Sequence, residues 1–150
     1  MNAGNASQKL TAALEEVRQV YVDLAQRPIQ RNCARRAECC QFKLTGRTPY
    51  LTKGEAIFAA QAFRATGRKF LPQNDDGACP MLQRETGKCL IYDARPFGCR
   101  THFCDAAGGP AARREVLDLV RRLEDVDVRL NGDGPRVLQK AIADALKEMQ

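Results

Sequence analysis

Seven cysteines carry most of the chemistry that this 150-residue sequence can perform. Thiolates are soft ligands that suit zinc, copper(I) and iron–sulfur clusters. The odd count and the lack of a signal-peptide profile are not typical of a secreted disulfide scaffold. In a reducing cytoplasm, where we expect this chain to reside, a cysteine-dense segment more often binds metal than forms disulfides. The predicted metal ligands are Cys33, Cys39, Cys40, Cys79, Cys89, Cys99 and Cys104.

The spacing of the cysteines does not match a common zinc finger. No C-x-x-C pair occurs anywhere, and Cys39 directly precedes Cys40. Adjacent thiolates rarely bind one tetrahedral ion together, whereas a multi-iron cluster or two ions accept them more easily. The pattern therefore slightly favours an iron–sulfur cluster, and zinc stays open. One or two of the seven could instead be buried structural thiols, since free cysteine packs as a small hydrophobe.

Three other side chains lie close to cysteines in the sequence. His102, the one histidine, lies between Cys99 and Cys104 and is a further candidate ligand, because imidazole binds both zinc and iron. Arg95 and Arg100 flank Cys99. We expect their positive charge to lie beside the centre and favour the metal-binding thiolate. The alternative is that both arginines pair only with surface carboxylates.

Helices are expected on both sides of the cysteine-bearing segment. Apolar residues recur at three- and four-residue steps over 7–27, and Ser7 could cap that helix. The same periodicity predicts helices within 111–149, divided by a Gly- and Pro-containing break after Leu130. We expect these two regions, 7–27 and 111–149, to be flanking amphipathic helices.

The cysteine-cluster core, 33–104, has shorter predicted elements. Thr52 and Glu55 form the signature of a capping box, which predicts a helix from Lys53 to about Thr66. The segments 79–82 and 88–92 could pair as a short hairpin, followed by a short helix that Asp93 caps and that carries Cys99. The predicted fold is a single domain, 1–150, mainly α with irregular cysteine-rich loops and at most a short β-hairpin. It forms a helical shell around a metal centre.

The charge and hydropathy of the chain disfavour nucleic acid and membrane as partners. The formal net charge of +6 gives a mild attraction to polyanions. Arg121 and Arg122 could contact phosphate, but acidic residues follow them and aromatic residues are few, so nucleic-acid binding is the least favoured alternative. No apolar run is long enough to span a bilayer, and we expect no membrane contact.

The segment from Cys33 to Cys104 resembles the YkgJ-type cysteine-cluster family. The resemblance rests on Leu51-Thr52-x-x-Glu55, Cys79-Pro80-x-Leu82 and the run from Cys89 to Arg100, which reads C-x-I-Y-x-x-R-P-x-x-C-R. It implies a zinc- or iron-chelating domain, and a related cluster in flagellin lysine methylases implies an iron–sulfur centre. Members often begin with C-x-x-C-x-x-C-C, where this chain has Arg36 at the second position. Cys104 or His102 could replace that ligand.

A metal-binding protein with a structural or redox centre is the function that these observations favour. A cluster-dependent modifying enzyme, or an accessory subunit of one, is the alternative. The sequence has no Gly-rich phosphate loop, no dinucleotide-binding fingerprint and no recognisable nucleophile–base pair, so catalysis by this chain alone is less favoured. Besides the metal ion, a protein partner could bind through the terminal helices.

Overall fold

Helices make up most of the computed structural model, which describes residues 3–28, 48–74, 76–101 and 112–149. Within these ranges the strands are two residues long and form two small antiparallel sheets. The prediction of a mainly α fold with a short hairpin is confirmed. The helices are α1 (Ala3–Ala25), α2 (Lys53–Ala65), α3 (Phe97–Thr101), α4 (Arg113–Arg129) and α5 (Leu138–Glu148). The strands are β1 (Tyr50–Leu51), β2 (Leu82–Gln83), β3 (Lys88–Cys89) and β4 (Arg136–Val137).

Helices α1 and α4 pack along their apolar stripes. Val17 and Val20 of α1 are fully buried in one core cluster with Leu119 and Val126 of α4. Helix α1 begins at Ala3 and runs through Gly4, so Ser7 lies inside the helix and the expectation that it caps the N-terminus is wrong. A serine by itself is only a weak start signal, and the packing of the helix outweighs the cost of the glycine. Nowhere in the described ranges is a helix both long and apolar enough to cross a membrane.

The capping box at the start of α2 is formed as predicted. Thr52 and Glu55 bond reciprocally, and the helix ends before Gly67, whose φ of 89° suits the left-handed turn that follows. The buried face of α2 packs on α5 in a second cluster that includes Phe63 and Ile142. Thus α2 occupies the middle of the molecule, between α5 on one side and the α1–α4 pair on the other.

The pairing of β1 with β4 was not predicted. Tyr50 lies opposite Val137, and the amide of Leu138 donates to the carbonyl of Pro49 at 3.0 Å. Val137, which the apolar periodicity assigned to the last helix, therefore lies in a strand, and α5 begins one residue later. A two-residue strand is too short to show alternation, so the sequence carried no signal for it.

The predicted hairpin is present but shorter than expected. Leu82 pairs with Cys89, and Gly87 has a φ of 68° in the turn. A 3₁₀ turn over Tyr92–Ala94 follows, and α3 begins only at Phe97. The expectation that Asp93 caps this helix is wrong, because Pro96 disfavours helix at the residue before it and separates the 3₁₀ turn from α3.

Asp127 joins the end of α4 to the start of α2. Its side chain is 3% exposed and accepts hydrogen bonds from the amides of Lys53, at 2.7 Å, and Gly134, at 2.9 Å. A Cβ at Gly132 would overlap the Asp127 carboxylate, so the absence of a side chain lets the chain pass this closely. The carboxylate therefore satisfies one of the free amides at the N-terminus of α2.

Replacing Asp127 with alanine is expected to lower the free energy of unfolding by about 3 kcal/mol, because it leaves two amides without their charged acceptor. Urea denaturation checks this value. Asp125→Ala is the matched control on the same helix, since Asp125 is exposed and forms a surface ion pair with Arg129 at 3.6 Å. It should cost about 0.5 kcal/mol or less. Equal losses in the two variants would contradict a structural role for Asp127.

Candidate metal centre

Three of the predicted ligands lie in the described part of the chain, on the hairpin and the turns beside it. These are Cys79, Cys89 and Cys99. The other predicted ligands lie outside the described residues, and they are Cys33, Cys39, Cys40, Cys104 and His102.

Cys79 and Cys89 lie on opposite arms of the β2–β3 hairpin. Cys79 precedes β2, is 4% exposed and has its carbonyl bonded by the amide of Leu82 at 3.0 Å and by the Asn74 side chain at 3.2 Å. Cys89 ends β3, directly opposite Leu82, and is partly buried. The hairpin thereby fixes the backbone of both thiols relative to one another.

Cys99 lies on α3, whose first turn is set by Pro96. The amides of Cys99 and Arg100 both donate to the carbonyl of Pro96, at 3.0 and 3.2 Å. Because proline fixes φ near the helical value and Pro96 is itself buried, the direction of this turn is well defined. Cys99 is partly buried and packs against a core cluster. Cys79 is a member of the same cluster, and Cys89 also packs against it.

The donor types on these turns fit a thiolate-bound metal. The three thiols, which belong to or pack against one core cluster, are soft ligands of the kind that zinc and iron–sulfur centres use. Within the described ranges alone, no group of three or more His, Cys, Asp or Glu side chains could hold an ion. A centre that used these thiols would need further ligands from outside these ranges.

Arg100 brings positive charge next to Cys99. Its guanidinium donates to the carbonyls of Arg95 and Asp93, both at 2.7 Å, and lies 4.0 Å from the ring centroid of Tyr21. Burial lowers the pKa of Arg100, and the nearby Tyr21 and Cys99 groups act in the opposite direction. Within the described ranges it bonds backbone carbonyls, not a carboxylate, so the arginine holds the turn and its charge lies close enough to interact with Cys99.

Arg95 is held one turn earlier. Its Nε donates to the carbonyl of Tyr92 at 3.0 Å, and its guanidinium lies 3.9 Å from the ring centroid of the same residue. Its charge is therefore directed over an aromatic face, a favourable cation–π arrangement. The contacts that the structure gives it are to Tyr92, so Arg95 organises the 3₁₀ turn that precedes α3.

The contact of Glu55 with the Cys99 turn is one that the sequence did not predict. One carboxylate oxygen of this capping residue accepts from the amide of Phe97, at 2.7 Å, and from the hydroxyl of Tyr21, at 3.1 Å. Burial raises the pKa of Glu55, and bonds from Phe97 and Thr52 oppose that rise. Burial also raises the pKa of Tyr21, as does the charge of Glu55. The capping box could be predicted from the sequence, but the bond from Phe97, 42 positions away, could not.

Comparison with known families supports a metal centre in this part of the chain. The family model "CxxCxxCC: Putative zinc- or iron-chelating domain" matches residues 31–116, which is more than half of the chain. The matched range contains all seven cysteines and His102, together with the hairpin and α3. No curated protein and no solved structure matches the chain.

Proposed function

The chain belongs to the CxxCxxCC family of zinc- or iron-chelating domains, and we propose that its cysteines hold an iron–sulfur cluster or a zinc ion with a structural or redox role. We also infer a cytoplasmic location, because metal binds to reduced thiols and the cytoplasm keeps thiols reduced.

The observation that carries this proposal is the position of three cysteines on braced turns around one core cluster. Cys79 and Cys89 are fixed by the hairpin, and Cys99 by the turn at Pro96. Irregular backbone of this kind can direct sulfurs at one point from several directions, as a closed thiolate site requires.

An iron–sulfur cluster is the centre that we favour over zinc. Cys39 and Cys40 are adjacent, and no C-x-x-C pair is present to form half of a common zinc site. A cluster or a pair of metal ions accepts adjacent thiolates more easily than one tetrahedral zinc ion does.

Contacts of the terminal helices weigh against nucleic-acid binding and against a partner that binds their apolar stripes. Arg122, part of the basic stretch on α4, is ion-paired at 2.7 Å with both Glu16 and Asp23 of α1, which leaves it little capacity for phosphate. The apolar stripes of α1 and α4 are buried against each other. A protein partner of the terminal helices, which we retain as a proposal, would therefore bind their outer faces.

Zinc titration with cysteine mapping tests the proposal. Metal-free protein is titrated with Zn²⁺ against a chromophoric chelator, then alkylated and analysed by mass spectrometry. We expect saturable binding with protection of Cys89 and Cys99 and of cysteines from 33 to 40. Uniform alkylation of all seven cysteines at saturating zinc would contradict a thiolate centre.

Arg100→Gln is expected to weaken metal affinity, and more strongly at pH 6 than at pH 8. The guanidinium favours the thiolate, and at lower pH protons compete harder for the sulfur. Chelator competition at both pH values measures the effect. Arg84→Gln is the control, because Arg84 pairs with Asp76 at the exposed end of the hairpin. Affinity that stays unchanged at both pH values, while thermal stability falls, would mean that Arg100 only braces the turn.

A further inference from the structure

Glu55 connects the start of α2 to the turn that carries Cys99. Its side chain is 3% exposed, and its two carboxylate oxygens face different partners. Oε2 accepts from the amide and the hydroxyl of Thr52, at 3.1 and 2.9 Å. Oε1 accepts from the amide of Phe97, at 2.7 Å, and from the hydroxyl of Tyr21, at 3.1 Å. One oxygen therefore serves the helix cap, and the other serves α1 and α3.

The Cys99 turn is held at both ends by this arrangement. Phe97 is the first residue of α3, so its bond to Glu55 fixes where the helix begins. At the other end Arg100 bonds two backbone carbonyls and lies over the ring of Tyr21. Tyr21 thus contacts both holding groups, through its hydroxyl and through its ring. Cys99 lies between them.

Helix capping alone does not explain a buried carboxylate at this position. Glutamine serves equally well in a capping box, and removing a carboxylate from water costs free energy. A charged acceptor, however, forms hydrogen bonds roughly twice as strong as a neutral one. The charge of Glu55 is therefore best accounted for by the bonds that its second oxygen makes across the fold.

We propose that Glu55 is a positioning residue for the metal centre, which through Oε1 fixes the first turn of α3 and hence the direction of the Cys99 thiolate. Tyr21 supports it by bonding the same oxygen and carrying Arg100 on its ring. The inference rests on the proposed function, because it concerns a residue that acts on the metal through Cys99 and does not itself bind it. The partners of ligand residues in other metalloproteins act in the same way.

Zinc affinity of Glu55 variants tests this assignment. Glu55→Leu removes the acceptor of the Phe97 amide and should weaken zinc binding by about tenfold or more, the scale of outer-sphere effects. Glu55→Gln, which keeps an oxygen for that amide, should have a zinc affinity between those of the wild type and Glu55→Leu. Thr52→Val is the matched control, since it removes the hydroxyl's bond to Oε2 and its capping bond from the Glu55 amide, and leaves Oε1 intact. Its affinity should equal that of the wild type. If Glu55→Leu does not fold, Glu55→Gln against Thr52→Val decides the question.

Cobalt spectra separate positioning from general stability. At saturating Co²⁺, Glu55→Leu should change the thiolate-to-metal and ligand-field bands, because the Cys99 sulfur is displaced, while Thr52→Val should reproduce the wild-type spectrum. Identical spectra in all variants, or equal loss of zinc affinity in Thr52→Val and Glu55→Gln, would overturn the inference and leave the proposed function standing.

Alkylation of Cys99 in the metal-free protein gives a readout that does not depend on metal. The rate should rise about tenfold in Glu55→Leu, the factor that one hydrogen bond supplies, and stay unchanged in Thr52→Val. Equal rates in both variants would contradict the positioning role. A wild-type chain that binds neither Zn²⁺ nor Co²⁺ would contradict the proposed function, and the alkylation rates would still test the contact between Glu55 and α3.

Discussion

Replacing Cys99 with serine is expected to remove most of the bound metal. A serine hydroxyl stays protonated at neutral pH and is a poor ligand for soft metals, while its volume differs little from that of the thiol. Metal per chain, measured by elemental analysis after gel filtration, should fall to roughly a tenth of the wild-type value. Similar losses are expected for Cys39, Cys40 and Cys89, and smaller ones for Cys33 and Cys79.

Thr101→Ala is the matched control for this substitution. Thr101 lies on the same short helix as Cys99 and donates to the carbonyl of Phe97 at 3.1 Å. The variant disturbs α3 by one hydroxyl without touching a thiol, so it should keep nearly all of its metal. Full metal content in Cys99→Ser, or equal losses in the two variants, would show that Cys99 is not a ligand.

Removing the metal is expected to loosen the cysteine-bearing segment and leave the helix pairs in place. The segment 76–101 contains strands of two residues and a five-residue helix, so few of its backbone bonds belong to regular structure. The α1–α4 cluster, by contrast, contains no cysteine among its described members. Metal binding therefore contributes to folding mainly in the segment that supplies the ligands.

The expected decrease in melting temperature is roughly 10 °C. A ligand present at a thousand times its Kd contributes about 4 kcal/mol, and each kcal/mol shifts the melting temperature by about 2–4 °C in a chain of this size. Circular dichroism of the metal-free protein should retain most of its helical signal. Limited proteolysis should cut within 76–101, and restoring the metal should reverse both changes. An unchanged melting temperature together with unchanged cleavage would mean that the metal is not structural.

Elements that depend on local sequence were predicted well. The capping box of Thr52 and Glu55 involves residues three apart, and the predicted end of α2 near Thr66 depends only on the glycine that follows. The apolar residues of α1 and α4 recur at the helical period, so the buried faces of both helices could be predicted. In each case the residues that decide the structure lie within one or two turns of each other.

Contacts between distant residues account for what was missed. The amides of Lys53 and Gly134 meet at Asp127, and β1 pairs with β4, only after α2, α4 and α5 have packed together. The bond from Phe97 to Glu55 likewise spans 42 positions. No periodicity or motif encodes such pairings, because they depend on how the helices dock. For the candidate site, residue type indicates which side chains are candidate ligands, while the contacts that hold the Cys99 turn required the structure.

Metal analysis of protein purified without oxygen tests the central claim most directly. The cysteine-ligated centre predicts stoichiometric metal that survives gel filtration. Iron with acid-labile sulfide and a brown colour with charge-transfer absorption would identify the favoured iron–sulfur cluster. A colourless protein with stoichiometric zinc would keep the thiolate centre and exclude the cluster. Protein that contains no stoichiometric metal, and does not acquire it on anaerobic reconstitution with iron and sulfide or with zinc, would contradict the account.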